Sequence, residues 1–119
     1  ATELDTEGVQ ASVVHLTSPD RVYRSWRAGL VRSAASARVV RALSHLDDLV
    51  PVGQREWPVV SVHDAASHSL AWIGSALGTR QYALGVDRFG ESGTIADLHE
   101  LTGIDTGSIV NAALLALAD

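Results

Sequence analysis

Apolar residues along this chain fall into two rhythms, and the places where one gives way to the other outline the elements. Ala11-Ser-Val-Val-His-Leu-Thr17 is short and β-branched, which predicts a strand. Ser18-Pro19-Asp20 follows at once, an N-cap residue with Pro at the first helical position, so the strand should run straight into a helix. Val22, Tyr23, Trp26 and Leu30 then recur at helical spacing, with Arg21, Arg24, Arg27 and Arg32 in the wetter positions between them. A helix of roughly three to four turns fits that pattern. A second helix is predicted from Ser36 to about Leu49, with Val39, Val40, Leu43 and Leu46 as its stripe and Pro51 as its stop. Asp47 and Asp48 would lie unfavourably at the negative pole of that helix.

Beyond a connector at Pro51–Pro58, Val59-Val-Ser-Val-His63 reads as a buried strand ending at Asp64. A helix from about Ser67 to Leu77 should follow, with Leu70, Ile73 and Leu77 inward and Gly78 as its C-cap. Gln81–Val86 is the third predicted strand, interrupted by Gly85, which signals a bulge or a close backbone approach. Asp87–Gly93 is a loop. Thr94-Ile-Ala-Asp97 has the form of a capping box and opens a short helix closed by Gly103. The last helix begins after Asp105, carries Ile109, Val110, Ala113, Leu114 and Leu117 as its apolar positions, and should dock on the sheet. Residues 1–10 resemble the tail of an earlier helix, with Leu4 and Val9 as the only large apolar positions. Strands alternating with helices predict an α/β fold: three layers, α/β/α, around a mostly parallel sheet with right-handed crossovers. Three strands are few for such a sheet, which usually has about five to six, so a partner strand from elsewhere is expected.

With 119 residues, 46% hydrophobic and 19% charged, the chain suits one globular domain, and neither a repeat nor an interdomain linker is visible. No apolar run approaches the roughly 20 residues that cross a bilayer, and the polar, acidic start is unlike a signal peptide. Cysteine is absent, which removes disulfides, thiol catalysis and Cys-rich zinc sites and makes a cytoplasmic setting the expectation. The net charge of −5 offers no general attraction to nucleic acid or an anionic membrane. All nine basic residues are Arg, so lysine chemistry is excluded. Met is also absent, and the chain is expected to be part of a longer one.

Two polar clusters stand at predicted strand ends, where open α/β folds gather ligands. The first is His63-Asp64-Ala-Ala-Ser67-His68. It could be a helix start with surface histidines, an interface or ligand contact, or, through His63, Asp64 and His68, a site for zinc or another divalent ion. Ser67 with a neighbouring His could imitate a nucleophile and base, yet no Gly-x-Ser-x-Gly elbow presents the hydroxyl. The second cluster is Gly85-Val-Asp87-Arg88-Phe-Gly-Glu-Ser92-Gly93-Thr94. Its glycines allow tight turns, Arg88 supplies a guanidinium, and the next helix start favours an anion. It has no Walker lysine and fails the dinucleotide glycine spacing. His63, Asp64, Asp87, Arg88 and Ser92 are the candidate interface or anion-contact residues. His15, His45 and His99 read as strand or surface histidines. Trp26, Trp57 and Trp72 read as packing or interface anchors, because no basic patch accompanies them.

The order of several segments carries a resemblance. Gly8–Ser18, Pro58-Val-Val-Ser-Val-His-Asp64, Leu84-Gly-Val-Asp-Arg-Phe-Gly-Glu-Ser-Gly93, Gly103-Ile-Asp105 and Ile109-Val-Asn-Ala-Ala113 together resemble the C-terminal domain of transketolase-type thiamine diphosphate enzymes. Among these the chain is most similar to the homodimeric pyruvate dehydrogenase E1 component. The Asp-x-Phe-Gly-x-Ser-Gly loop followed by Gly-Ile-Asp is the most specific part, and Thr17-Ser18 before an Arg-bearing helix favours E1 over transketolase proper.

The resemblance implies a transketolase C-terminal-domain-like fold whose N-terminal strand and helix precede residue 1, that strand lying between the first and second strands predicted here. It implies a parent enzyme that oxidatively decarboxylates pyruvate with thiamine diphosphate and magnesium and passes the acyl group to a lipoyl carrier. The family's Gly-Asp-Gly stretch and its activating Glu are not in this sequence. No catalytic, cofactor-binding or metal residue is therefore carried over, and packing and dimer assembly remain as the domain's role. The implied partners are the rest of the polypeptide, a second copy and an acyltransferase core, with neither nucleic acid nor membrane among them. The alternatives are a transketolase C-terminal domain, a free-standing small metal protein using His63, Asp64 and His68, and an adaptor whose Arg-rich helix binds an acidic partner.

Overall fold

Val59-Val-Ser-Val62 and Gln81-Tyr-Ala-Leu84 pair in parallel as strands β1 and β2, in register from Val59 opposite Gln81 to Val62 opposite Leu84. The computed structural model describes residues 1–36, 42–87, 98, 100 and 102–119. The helices are α1 (Thr2–Thr6), α2 (Pro19–Ala35), α3 (His45–Leu49), α4 (Ile73–Leu77) and α5 (Thr106–Ala118), with 3-10 turns at Val52–Gln54 and Ser67–Leu70. The class is mixed α/β with a two-stranded parallel sheet among the described residues. The chain divides into two compact units, one of residues 1–11 and 56–119, the other of residues 12–55.

In the sheet-bearing unit, the connection between the parallel strands is the predicted helix of Ser67–Leu77 broken in two. A 3-10 turn ends at Leu70 and α4 starts at Ile73. Leu70, Ile73 and Leu77 are buried as their spacing implies, and Gly78 ends α4 with φ +74°, a left-handed geometry that glycine adopts without strain. Helix α5 packs on β1 and β2. Its innermost residues are Ala112 and Ala116, the latter fully buried, one turn apart on a line of small side chains that lets the helix approach the sheet. The predicted larger positions do not form that line: Ile109, Val110, Ala113 and Leu114 are half-buried and Leu117 is exposed. Leu4 of α1 is buried too.

In the other unit α2 is longer than predicted, and its inner face is turned away from the aromatic stripe. Val22 and Gly29 are buried, whereas Tyr23 and Leu30 are exposed. Hydrogen bonds to residues 42–45 explain the rotation. The Ser33 hydroxyl accepts from the Ala42 amide at 2.8 Å, and the Ser25 hydroxyl accepts from the His45 amide at 3.0 Å. A Cβ on Gly29 would lie 3.4 Å from the Ala42 carbonyl oxygen. Satisfying these backbone groups required serines on the face that hydropathy alone assigns to water.

Two expectations are corrected. Residues 11–17 form no strand; Val13 is 79% exposed, because β-branched residues need a pleated neighbour and none of the described residues pairs with them. Among the described residues, the helix expected over Ser36–Leu49 is present only as α3, since Ser36 is extended and Ala42–Ser44 are not helical. Its start is a capping box, with the Asp47 carboxylate accepting from the Ser44 amide at 2.6 Å. Asp47 and Asp48 thus occupy a first turn, where the helix dipole favours them. Residues 37–41, with Val39 and Val40 of the predicted stripe, lie outside the described residues. Of the predicted helix at 94–103, Leu98, Glu100 and Thr102 are helical, and its capping box at Thr94–Asp97 lies outside the described residues. No helix among the described residues is long and apolar enough to cross a membrane.

Candidate functional site at the carboxyl ends of the strands

Parallel pairing places the carboxyl ends of β1 and β2 side by side, so two clusters that are 20 residues apart in sequence meet at one corner. The ladder continues past the strands: the His63 amide donates to the Leu84 carbonyl at 3.0 Å, and the Val86 amide donates to the Ala65 carbonyl at 2.8 Å. Gly85 sits where these segments press together. A Cβ there would stand 2.6 Å from the Ala65 carbonyl oxygen and from the Ser67 amide nitrogen and Cα. Of the two roles open to Gly85, the close backbone approach is the one found.

Asp87 closes the corner. Its carboxylate accepts from the Ser67 amide at 2.9 Å and from the Ser67 hydroxyl at 2.8 Å, so one side chain holds the start of the 3-10 turn from the far strand. The Ser67 amide, followed by its hydroxyl and the nearby His68, holds the Asp87 carboxyl below the usual carboxylate range, against a smaller opposing effect of desolvation. Ser67 is therefore tied to a carboxylate. Among the described residues neither His63 nor His68 hydrogen-bonds its hydroxyl, and the nucleophile-and-base arrangement is not assembled.

His63 is the half-buried member of the corner. Its Nε2 stands 4.0 Å from the Asp64 carboxylate, which is 91% exposed, while its Nδ1 is buried and has no hydrogen-bond partner among the described residues. His68 is exposed. His63, Asp64 and His68 do not converge as ligands, and no group of three His, Asp or Glu side chains among the described residues could hold a metal ion. The described residues of the corner likewise supply no group of ligands that fits a diphosphate–magnesium group. Of the five candidate residues, His63, Asp64 and Asp87 are brought to this corner, and Arg88 and Ser92 lie outside the described residues.

Sequence reasoning missed two polar centres away from the corner. The Gln81 carboxamide accepts from the Gly74 amide at 2.6 Å and donates to the Ser61 hydroxyl and the Leu70 carbonyl, each at 2.7 Å. A Gln at the head of an apolar strand was the available signal. Arg55 pairs with Asp47 at 2.5 Å, both side chains only 10% exposed; nothing in their spacing announces it. At the Gly103-Ile-Asp105 junction, the Asp105 carboxylate accepts from the Ser108 hydroxyl, which holds that carboxyl below its ordinary range.

No protein-family model, no curated protein and no solved structure matches the chain.

Proposed function

We propose that this chain is the C-terminal α/β domain of a thiamine diphosphate-dependent enzyme of the pyruvate dehydrogenase E1 type, where it serves packing and dimer assembly rather than chemistry. The observation that supports this reading is the Asp87–Ser67 link: the first residue of the Asp-x-Phe-Gly-x-Ser-Gly segment binds the turn after β1. A carboxylate used to close a strand-end corner suits a domain that presents a formed surface to its neighbours. In this reading the sheet is completed to three layers by segments of the parent polypeptide, and the cofactor and magnesium belong to other domains. The parent would decarboxylate pyruvate oxidatively as a cytoplasmic homodimer and hand the acyl group to a lipoyl carrier on an acyltransferase core.

The test is the coding sequence upstream of Ala1. A continuous reading frame carrying a Gly-Asp-Gly stretch with a downstream Asn is expected, followed by loss of pyruvate-dependent acetylation of a lipoyl acceptor when the whole enzyme lacks residues 1–119. An upstream frame without that stretch overturns the reading. Ketose transfer by the whole enzyme, without pyruvate turnover, would reassign it to transketolase.

A further inference from the structure

The two units carry opposite charge. Residues 12–55 hold seven Arg against three Asp, formally +4, whereas residues 1–11 and 56–119 hold two Arg against eleven Asp and Glu, formally −9. The modest net charge of the chain conceals this polarity. Four of the seven Arg lie on α2, and Arg21, Arg24 and Arg27 follow one another at i, i+3 and i+6, a ridge on one side of the helix. All three are exposed or half-exposed at the surface, and on the helical repeat the ridge lies away from buried Val22 and Gly29. Its only ion pair among the described residues is Arg24 with Asp20, one turn away on the same helix, with both side chains largely in water. Arg27 stands 5.9 Å from the Trp26 ring, which steadies its guanidinium without neutralising it. In the acidic unit, exposed Glu3 and Glu7 lie one turn apart on the same side of α1 and its end, with no ion pair of their own among the described residues.

From this charge complementarity we infer that the α2 ridge is a docking surface for a second copy of the chain, its Arg21, Arg24 and Arg27 meeting the acidic unit of that copy through Glu3 and Glu7. A second copy carries the complementary patch, and in a single such contact one partner keeps its acidic patch free and the other its Arg ridge. Arg is suited to the role because its planar guanidinium engages carboxylates through two parallel hydrogen bonds. Exposed charges of this kind act over about a Debye length, roughly 10 Å at 0.1 M salt, so the contact must weaken as salt rises. This inference does not rest on the parent-enzyme reading.

Sedimentation velocity of the 119-residue chain tests it. Self-association is expected in about 20 mM salt, with roughly a tenfold or greater loss of affinity in about 500 mM. The variant Arg21→Glu/Arg24→Glu/Arg27→Glu and the variant Glu3→Arg/Glu7→Arg should each be impaired alone and form a complex when mixed. That rescue is a result that two misfolded variants would not give. A monomer at low salt, association indifferent to salt, or a mixture that fails to associate overturns the inference. Binding of duplex DNA or phosphatidylserine vesicles by a monomeric wild type, lost in the α2 variant, would also overturn it and reassign the ridge.

Discussion

In the sheet-bearing unit, the polar groups withdrawn from water are neutral: Gln81 bridges Gly74, Ser61 and Leu70 with one carboxamide. In the unit built on α2, the corresponding centre is charged, with Arg55 against Asp47 and each side chain 10% exposed. Both centres are well bonded. Arg55 also donates to the Val50 carbonyl through Nε and Nη2, and Asp47 also caps α3 through Ser44. The difference lies in what remains when one member is removed. A neutral network leaves unsatisfied dipoles, whereas an ion pair leaves a charge that had been stabilised chiefly by its partner.

That contrast predicts a ranking of stabilities, readable from urea midpoints. Arg55→Met should have the largest effect, about 3–5 kcal/mol, because it removes the guanidinium paired with a largely buried Asp47 carboxylate. Asp47→Asn added to Arg55→Met should recover much of that loss, and a double variant no better than the single would show that charge is not the cause. Gly85→Ala comes next, at about 3 kcal/mol, the upper end for overpacking, because the atoms blocking its Cβ are backbone atoms of Ala65 and Ser67 rather than a movable side chain. Wild-type stability in the Gly85→Ala variant would mean that the corner is open. Gln81→Leu should cost about 1–3 kcal/mol by leaving the Gly74 amide and the Leu70 carbonyl without their partner.

The smallest effect belongs to the solvent-facing Asp87 link and is seen in its pH dependence. The folded state lowers the Asp87 pKa, so the link contributes fully above the unfolded carboxylate value of about 3.9 and is lost as pH falls through the lower folded value. The difference in urea midpoint between wild type and Asp87→Ala should therefore be constant from about pH 7 to 5 and shrink below about pH 4. A difference that persists unchanged at about pH 2 would assign the effect of Asp87 to packing instead.

Legibility along the chain followed locality. The turn at Gly78 and the start of α5 after Asp105 were readable because each depends on neighbours within a few residues, whereas Gly85 announced a bulge or a close approach and only the packing of Ala65 and Ser67 chose between them. The Val13–Val14 run misled, since β-branched side chains express a preference that only a paired neighbour can satisfy. The predicted aromatic stripe of α2 misled for a related reason. Ser25 and Ser33 outweigh Tyr23 and Leu30 on the inner face because the amides of Ala42 and His45 have to be bonded. At the candidate site, His63, Asp64, Ser67 and Asp87 were all visible as polar residues at strand ends, but the bond joining Ser67 to Asp87 spans 20 residues.

Local chemistry thus set the starts of α2 and α5, the end of α4 and the positions of the polar clusters, because propensity, capping and glycine geometry act over a turn or less. The tertiary structure alone decided which clusters meet, which face of α2 turns inward and which carboxylates find an Arg or a Ser. Parallel pairing of β1 with β2 brings distant residues into register, and the need to satisfy every buried donor and acceptor then selects among the faces that hydropathy leaves open.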